Sequence, residues 1–236
     1  MRSFKGSHLT ILNILLQRPL FVYLVFHKYL DHIVRIVYCT AIVKQLPGDP
    51  QQATHQQFYL RALKTLPNLH VVLGHFEERT AKLRLVPPPR QPPIQLADGT
   101  PLDRVLVQRF EEKGSDVNLA THLLIDGFQN LYDVAVVVSA DTDLEEPIRL
   151  VDVSLRKKVG ILTPRSRLSE LLVRHADFVK YIISKPSEIA ELQRSTQASA
   201  QKRLRSALTE ADLLACQFPD QMTDADGVFH RPAAWR

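Results

Sequence analysis

The sequence is short of the residues that would tie it to several function classes. Its two cysteines, Cys39 and Cys216, lie far apart and form no metal or redox motif. A reduced, cytoplasmic protein is the simplest expectation. The eight glycines build no phosphate-cradling loop, and no two histidines four residues apart flank a glutamate. Those absences remove the P-loop and zinc-protease readings. No internal repeat is present. Long unbroken apolar runs are also missing: the apolar stretch from His8 to Leu30 is interrupted by Asn13, by Gln17-Arg18-Pro19 and by His27-Lys28. Neither apolar piece reaches the roughly 20 residues of a membrane span. No small-residue cleavage site follows the basic start Met1-Arg2-Ser3-Phe4-Lys5, as a secretory signal would require. No membrane partner is expected.

What is present suits one sizeable α/β domain with extensions. The chain has 236 residues, 45% of them apolar and 23% charged, which is ordinary for a globular protein. Its net charge of +5 is too small to diagnose a nucleic-acid partner by itself. Distribution says more, because Arg156, Lys157, Lys158, Arg165, Arg167, Arg174 and Lys180 crowd into one stretch. Of these, Lys157, Lys158, Arg165 and Arg167 are the candidate phosphate-binding residues, with a plain solvated face as the alternative.

The chemistry concentrates in two neighbouring segments. Val134 to Val138 is a run of small, mostly β-branched residues without polar alternation, the pattern of a parallel strand covered on both faces. It stops at Ser139, and Asp141 and Asp143 follow directly. Open α/β sheets place ligands at that position, outside the carboxyl ends of the strands. Upstream, Val117, Ala120, Leu124, Phe128 and Leu131 step by three and four and predict a helix with one apolar stripe. Ser115 is the expected N-cap, with Gly114 supplying the turn. Asp116 then falls in the first turn, favoured there by the helix dipole. Asp116, Asp141 and Asp143 are therefore expected to converge at one sheet edge, within about 4–8 Å of one another. Helix capping is the competing reading for Asp116 and Asp143.

Taken together, Lys113-Gly-Ser-Asp-Val-Asn-Leu-Ala120, Val134-Ala-Val-Val-Val-Ser-Ala-Asp-Thr-Asp-Leu144 and Lys157-Lys-Val-Gly-Ile-Leu162 resemble an NYN domain, a branch of the PIN-like ribonuclease superfamily. Weaker matches lie in Pro47-Gly-Asp-Pro50, Leu66-Pro-Asn-Leu69, Gly74-His-Phe76, Gln217-Phe-Pro219 and Arg231-Pro-Ala-Ala-Trp235. The resemblance implies a Rossmann-like α/β/α sandwich with a mostly parallel central sheet. It also implies an endoribonuclease that uses Mg²⁺ or Mn²⁺ on RNA. Asp116, Asp141 and Asp143 would be the catalytic and metal-binding residues. Ser139 and Thr142 would orient water or a phosphate oxygen, and Lys113 would meet the substrate phosphate. Clustered carboxylates suit such hard cations. A binding module that keeps the fold without catalysis is the alternative, and a phosphatase-like hydrolase a third class.

One departure is expected to matter. NYN domains open with a strand ending in aspartate, usually followed closely by asparagine, and nothing before Ile33 has that form. Asp31 is the only carboxylate among the first 48 residues, and it precedes a strand. The first strand is thus expected to be missing or replaced, residues 1–30 to pack as an irregular or helical apolar segment over the vacated edge, and the nuclease to be weak or inactive. The organisation read from sequence is therefore an atypical segment 1–30, an NYN/PIN-like domain 31–185 and an extension 186–236. Strands are expected at 33–43, 70–76, 104–110, 158–162 and 177–183, and helices at 51–66, 144–155 and 168–175. Residues 79–103 read as a long excursion, a candidate flap near the site, carrying five prolines in the seven residues 87–93. Residues 187–210 read as an exposed helix or connector. Phe218, Phe229 and Trp235 mark a tail that docks back.

Overall fold

The computed structural model of the chain describes residues 9–13, 33–43, 51–86, 94–163, 168–183, 203–207 and 219–231. The strands are β1 (Leu9–Asn13), β2 (Ile33–Ala41), β3 (Leu69–Arg84), β4 (Arg104–Lys113), β5 (Val134–Val138), β6 (Lys158–Thr163), β7 (Phe178–Ile183), β8 (Arg203–Ala207), β9 (Gln221–Asp224) and β10 (Gly227–His230). The helices are α1 (Gln52–Leu63), α2 (Ser115–Phe128), α3 (Glu145–Val153) and α4 (Glu170–Arg174). Among the described residues eight strands make one sheet in the order β4-β3-β2-β1-β5-β6-β7-β8. Every neighbouring pair is parallel except β3 and β4. The protein is a mixed α/β fold.

From β1 the chain winds one way through β2 and β3, then returns to β5 on the other side of β1 and winds the opposite way. Parallel crossovers are right-handed, so reversing the winding puts the helices on opposite faces. The two cores follow that rule. On one face α1 (Leu60, Ala62, Leu63) packs with Ile36, Tyr38, Val134, Val136 and Val138. On the other, Leu119 and Leu123 of α2, Ile148 and Val151 of α3 and Leu172 of α4 pack on Val37, Cys39, Ala135 and Val137. The alternating residues of β5 serve both cores, which is why that strand has no polar position.

Several expectations are corrected. The first strand is not missing: β1 lies at the centre of the sheet, paired with both β2 and β5. Leu9–Asn13 is therefore not an irregular or helical cover on an edge. It ends in Asn13, so the absence of an aspartate there stands, while Asp31 lies outside the described residues. The stripe expected for α2 is right only in part: Ala120 and Leu124 are partly buried against the core. Ser115, Leu119, Leu123, Asp126 and Gly127 are its buried residues, whereas Val117 and Phe128 are 67% and 72% exposed. The spacing is helical but the phase is off by about a third of a turn, because a second set of apolar residues shares the helix.

Part of the excursion after residue 79 is regular. β3 continues to Arg84 and pairs antiparallel with β4 from His75↔Lys113 to Arg84↔Arg104. β2 pairs with β3 only as far as Gly74, so the remaining rows form a two-stranded ribbon reaching past the main sheet. Residues 87–93 lie outside the described residues. Arg203–Ala207, expected in a helix or connector, is the edge strand β8. The tail does dock: Phe229 and Met222 join the α1 core, Arg61 forms two hydrogen bonds with Asp224, and its guanidinium lies 4.2 Å from the Phe229 ring centroid. Phe218 and Trp235 lie outside the described residues.

Candidate functional site

The order of winding reverses at β1, and ligands of open α/β sheets bind outside the carboxyl ends of the strands at that switch point. Asn13 of β1 is in register with Val138 of β5. The chain leaves β5 through buried Ser139 and half-buried Asp141. Ser139 Oγ accepts a hydrogen bond from the Asp141 N–H at 3.1 Å, and Asp141 Oδ1 accepts from the Asp143 N–H at 3.0 Å. Asp141 thus caps the 3₁₀ turn Thr142–Leu144, so capping belongs to Asp141 and not to Asp143. One of its oxygens is committed to the backbone. Thr142 and Asp143 are exposed.

Asp116 reaches this edge through β4, a tight turn and α2. Gly114, at φ 88°, is the N-cap, where a side chain would be strained. Ser115 is the first helical residue, not the cap, and its hydroxyl donates to the Glu112 carboxylate. Gly74 makes the turn possible from below, since a Cβ there would overlap the Lys113 carbonyl and crowd Ser115. The β3 backbone can therefore sit directly beneath the start of α2.

Electrostatics ties these pieces together. Burial first, then Asp141, Glu112 and Asp143, raise the Asp116 carboxyl above its usual range. Asp116 and Glu112 also add to the burial that pushes the Cys39 thiol up to about 12. Glu112 contributes to raising Tyr38, after burial and against a hydrogen bond with Thr40. Asp141 and Asp143 both act on Asp116, and Glu112 is a further member that the sequence reading passed over. Its signal was available: a carboxylate two residues before a left-handed glycine turn that leads into Asp116.

The basic residues do not all gather here. Lys157 donates to Asn130 Oδ1 and to the Tyr132 carbonyl, each at 2.6 Å. Lys158 opens β6 opposite Val134. Both sit at the amino ends of the parallel strands, a full strand length from Asp141, so they are not a rim beside the carboxylates. Lys113 is near the site but pairs with Glu111 at 2.9 Å. Arg165 and Arg167 lie outside the described residues.

The donor set is all oxygen, which suits a hard divalent cation. Among the described residues no three His, Cys, Asp or Glu side chains stand close enough to hold one ion between them. One or two carboxylates with water completing the shell is the coordination Mg²⁺ commonly takes, and Asp116 and Asp141 supply carboxylates of that kind. No helix among the described residues is long and apolar enough to cross a membrane.

No protein-family model matches the chain. It is 24% identical over 189 residues to 6-hydroxy-3-succinoylpyridine 3-monooxygenase from Pseudomonas putida, covering 78% of this chain. The chain spans about half, 52%, of that relative's length. A solved protein of unknown function from Vibrio parahaemolyticus is 15% identical, with a TM-score of 0.44, covering 79% of this chain and 98% of that one.

Proposed function

We propose that the chain is a divalent-metal-dependent ribonuclease of the PIN-like kind, working at the edge formed by Asp116, Asp141, Asp143 and Glu112. The observation that carries this reading is the load on one carboxylate at the switch point, where burial and the like charges of Asp141, Glu112 and Asp143 hold Asp116 above its ordinary range. A half-buried carboxylate facing like charges costs stability unless something cationic relieves it.

Asp116 and Asp141 would hold Mg²⁺ or Mn²⁺, with Asp143 acting directly or through water. Such an ion would lower the pKa of a bound water and neutralise charge on the phosphate. The chain's own residues do the positioning. Ser139 fixes the Asp141 backbone, and Asp141 fixes the turn that carries Asp143. Glu112 fixes Ser115, and through it the first turn of α2. Thr142, exposed beside Asp141 and Asp143, can donate a hydrogen bond to a phosphate oxygen.

The second reading, an RNA-binding module without catalysis, is favoured by Asn13, an amide at the strand end where the resembled family carries aspartate. An oxygenase reading rests on the name of the Pseudomonas relative, of whose length this chain spans about half. Incubating labelled single-stranded RNA with the chain and Mn²⁺ separates these. The nuclease reading expects cleavage that EDTA and Asp141→Asn both abolish. Binding without cleavage supports the module. Oxygen consumption with 6-hydroxy-3-succinoylpyridine, and no action on RNA, would support the oxygenase.

A further inference from the structure

The ribbon of β3 and β4 leaves the sheet at the carboxylate edge, and its charge is sharply divided along its length. Beside the sheet, rows His75↔Lys113 to Glu78↔Phe110 contain all four of its carboxylates, Glu77, Glu78, Glu111 and Glu112. Beyond them, rows Arg79↔Arg109 to Arg84↔Arg104 contain five cations, Arg79, Lys82, Arg84, Arg104 and Arg109, and no carboxylate.

The two faces of the ribbon differ. Directly paired residues share a face and successive rows alternate. One face stacks His75 and Lys113, then Glu77 and Glu111, then Arg79 and Arg109, and its charges satisfy one another: Arg79 pairs with Glu77 at 2.7 Å, Arg109 with Glu111 at 3.0 Å. The other face is not self-neutralised. It runs from Glu112 and Phe76 through Glu78 and Phe110, then Thr80 and Gln108, to Lys82 and Leu106 and finally Arg84 opposite Arg104. Like charges directly across a ladder are destabilising. Among the described residues Lys82 and Arg84 have no carboxylate partner, and Arg104 has only Asp103 at 3.9 Å. Phe76, directly opposite Glu112, and Phe110, two rows nearer the cationic end, are both partly exposed.

We propose that this second face of the ribbon is a track for single-stranded nucleic acid. Arg84, Arg104 and Lys82 hold phosphates at the far end, Phe110 and Phe76 stack bases, and the strand is delivered to the carboxylate edge. The eight residue steps from Arg104 to Glu112 span about 27 Å, so the track engages several nucleotides on one side of the reacting phosphate. Cations that follow a backbone, joined to aromatic platforms, are the recurring means of gripping single strands without sequence preference. The argument for RNA rests on the proposed nuclease reading, whereas the argument for a polyanion rests on the ribbon alone.

The test uses fluorescence anisotropy of a labelled single-stranded RNA with the full chain carrying Asp141→Asn to suppress turnover. Adding Arg84→Glu and Arg104→Glu should weaken binding at least about tenfold and reduce the slope of log affinity against log salt by about 1.4, two phosphate contacts' worth. Phe110→Ala should weaken it at least about fivefold. Lys158→Glu, at the opposite rim, should change it less than about twofold, as a single remote charge. Thermal melts establish that each variant is folded. Binding within twofold of the parent in the double variant, or an equal loss from Lys158→Glu, overturns the track. So does poly-glutamate binding as tightly as RNA with no effect of Phe110→Ala, which indicates an acidic protein partner. With Asp141 restored, cleavage that survives Arg84→Glu and Arg104→Glu, with binding unchanged in the Asp141→Asn background, refutes the track and leaves the nuclease standing. Ribbon-dependent binding in a chain that never cleaves does the reverse.

Discussion

Asn13 and Val138 are paired in register, so the last residue of the central strand lies beside the last residue of the strand that feeds Asp141. An amide therefore stands at the strand end where the resembled family places a carboxylate. Asn13→Asp restores a negative charge at the switch point and should raise metal-dependent cleavage of RNA by about tenfold or more, the scale on which better metal placement acts. Initial rates in Mn²⁺ for the two proteins decide it. Equal rates would show that the three aspartates and Glu112 suffice.

Gly74 allows β3 to lie under the turn into α2. Gly74→Ala should destabilise the fold by about 2 kcal/mol, typical of an inserted methyl with nowhere to go. It should also lower activity although no carboxylate is touched, because the added methyl must displace the Lys113–Ser115 backbone. Urea melts and cleavage rates measure the two effects. A variant as stable and active as the parent would remove Gly74 from the design of the site.

The raised Asp116 carboxyl has a signed consequence for stability. Its folded pKa lies above its unfolded value near 3.8, so folding favours the protonated form. That contribution is full below the unfolded pKa and is lost as pH rises through the folded one. At neutral pH ionised Asp116 is therefore a burden. Asp116→Asn should raise the Tm at pH 7, through a gain in stability of less than about 1 kcal/mol for a partly exposed group, and have little effect at pH 3. A Tm that falls at pH 7 would contradict the assigned repulsion.

At the other end of α2, Asp126 is almost wholly buried and pairs with Arg35 at 2.8 Å. Removing one partner of such a pair leaves the other poorly compensated. Asp126→Ala should cost about 3 kcal/mol in chemical denaturation while leaving RNA affinity unchanged, because the pair lies far from the carboxylate edge. Loss of RNA binding in a folded Asp126→Ala protein would connect the two ends.

Much of the fold was legible because burial leaves a plain signature. The run Val134–Val138 needed no context, and Ile148, Val151 and Leu162 followed the same logic. The strand Leu9–Asn13 was not legible, since apolar residues resume directly after Asn13 and the stretch resembles any buried segment. The phase of α2 failed for a related reason: Val117 and Phe128 are as apolar as Leu119 and Leu123, and only the tertiary contacts choose between the two sets. For the site, the motif residues Asp116, Asp141 and Asp143 were visible. Glu112 was hidden among the alternating charges of β4. Lys157 and Lys158 misled because closeness in sequence to Asp143 is spent crossing α3, which returns the chain to the far end of the sheet.

The proposed nuclease needs Asp116 and Asp141 to hold a hard divalent cation, with Asp143 acting directly or through water and Glu112 adding charge beside them, and Mn²⁺ titration by isothermal calorimetry on the full chain tests that most directly. Binding should be saturable, displaced by Mg²⁺, and weakened at least about tenfold by Asp141→Asn and by Asp116→Asn, with a smaller loss from Glu112→Gln. Undetectable binding at millimolar Mn²⁺, or binding indifferent to both aspartate substitutions, would contradict it.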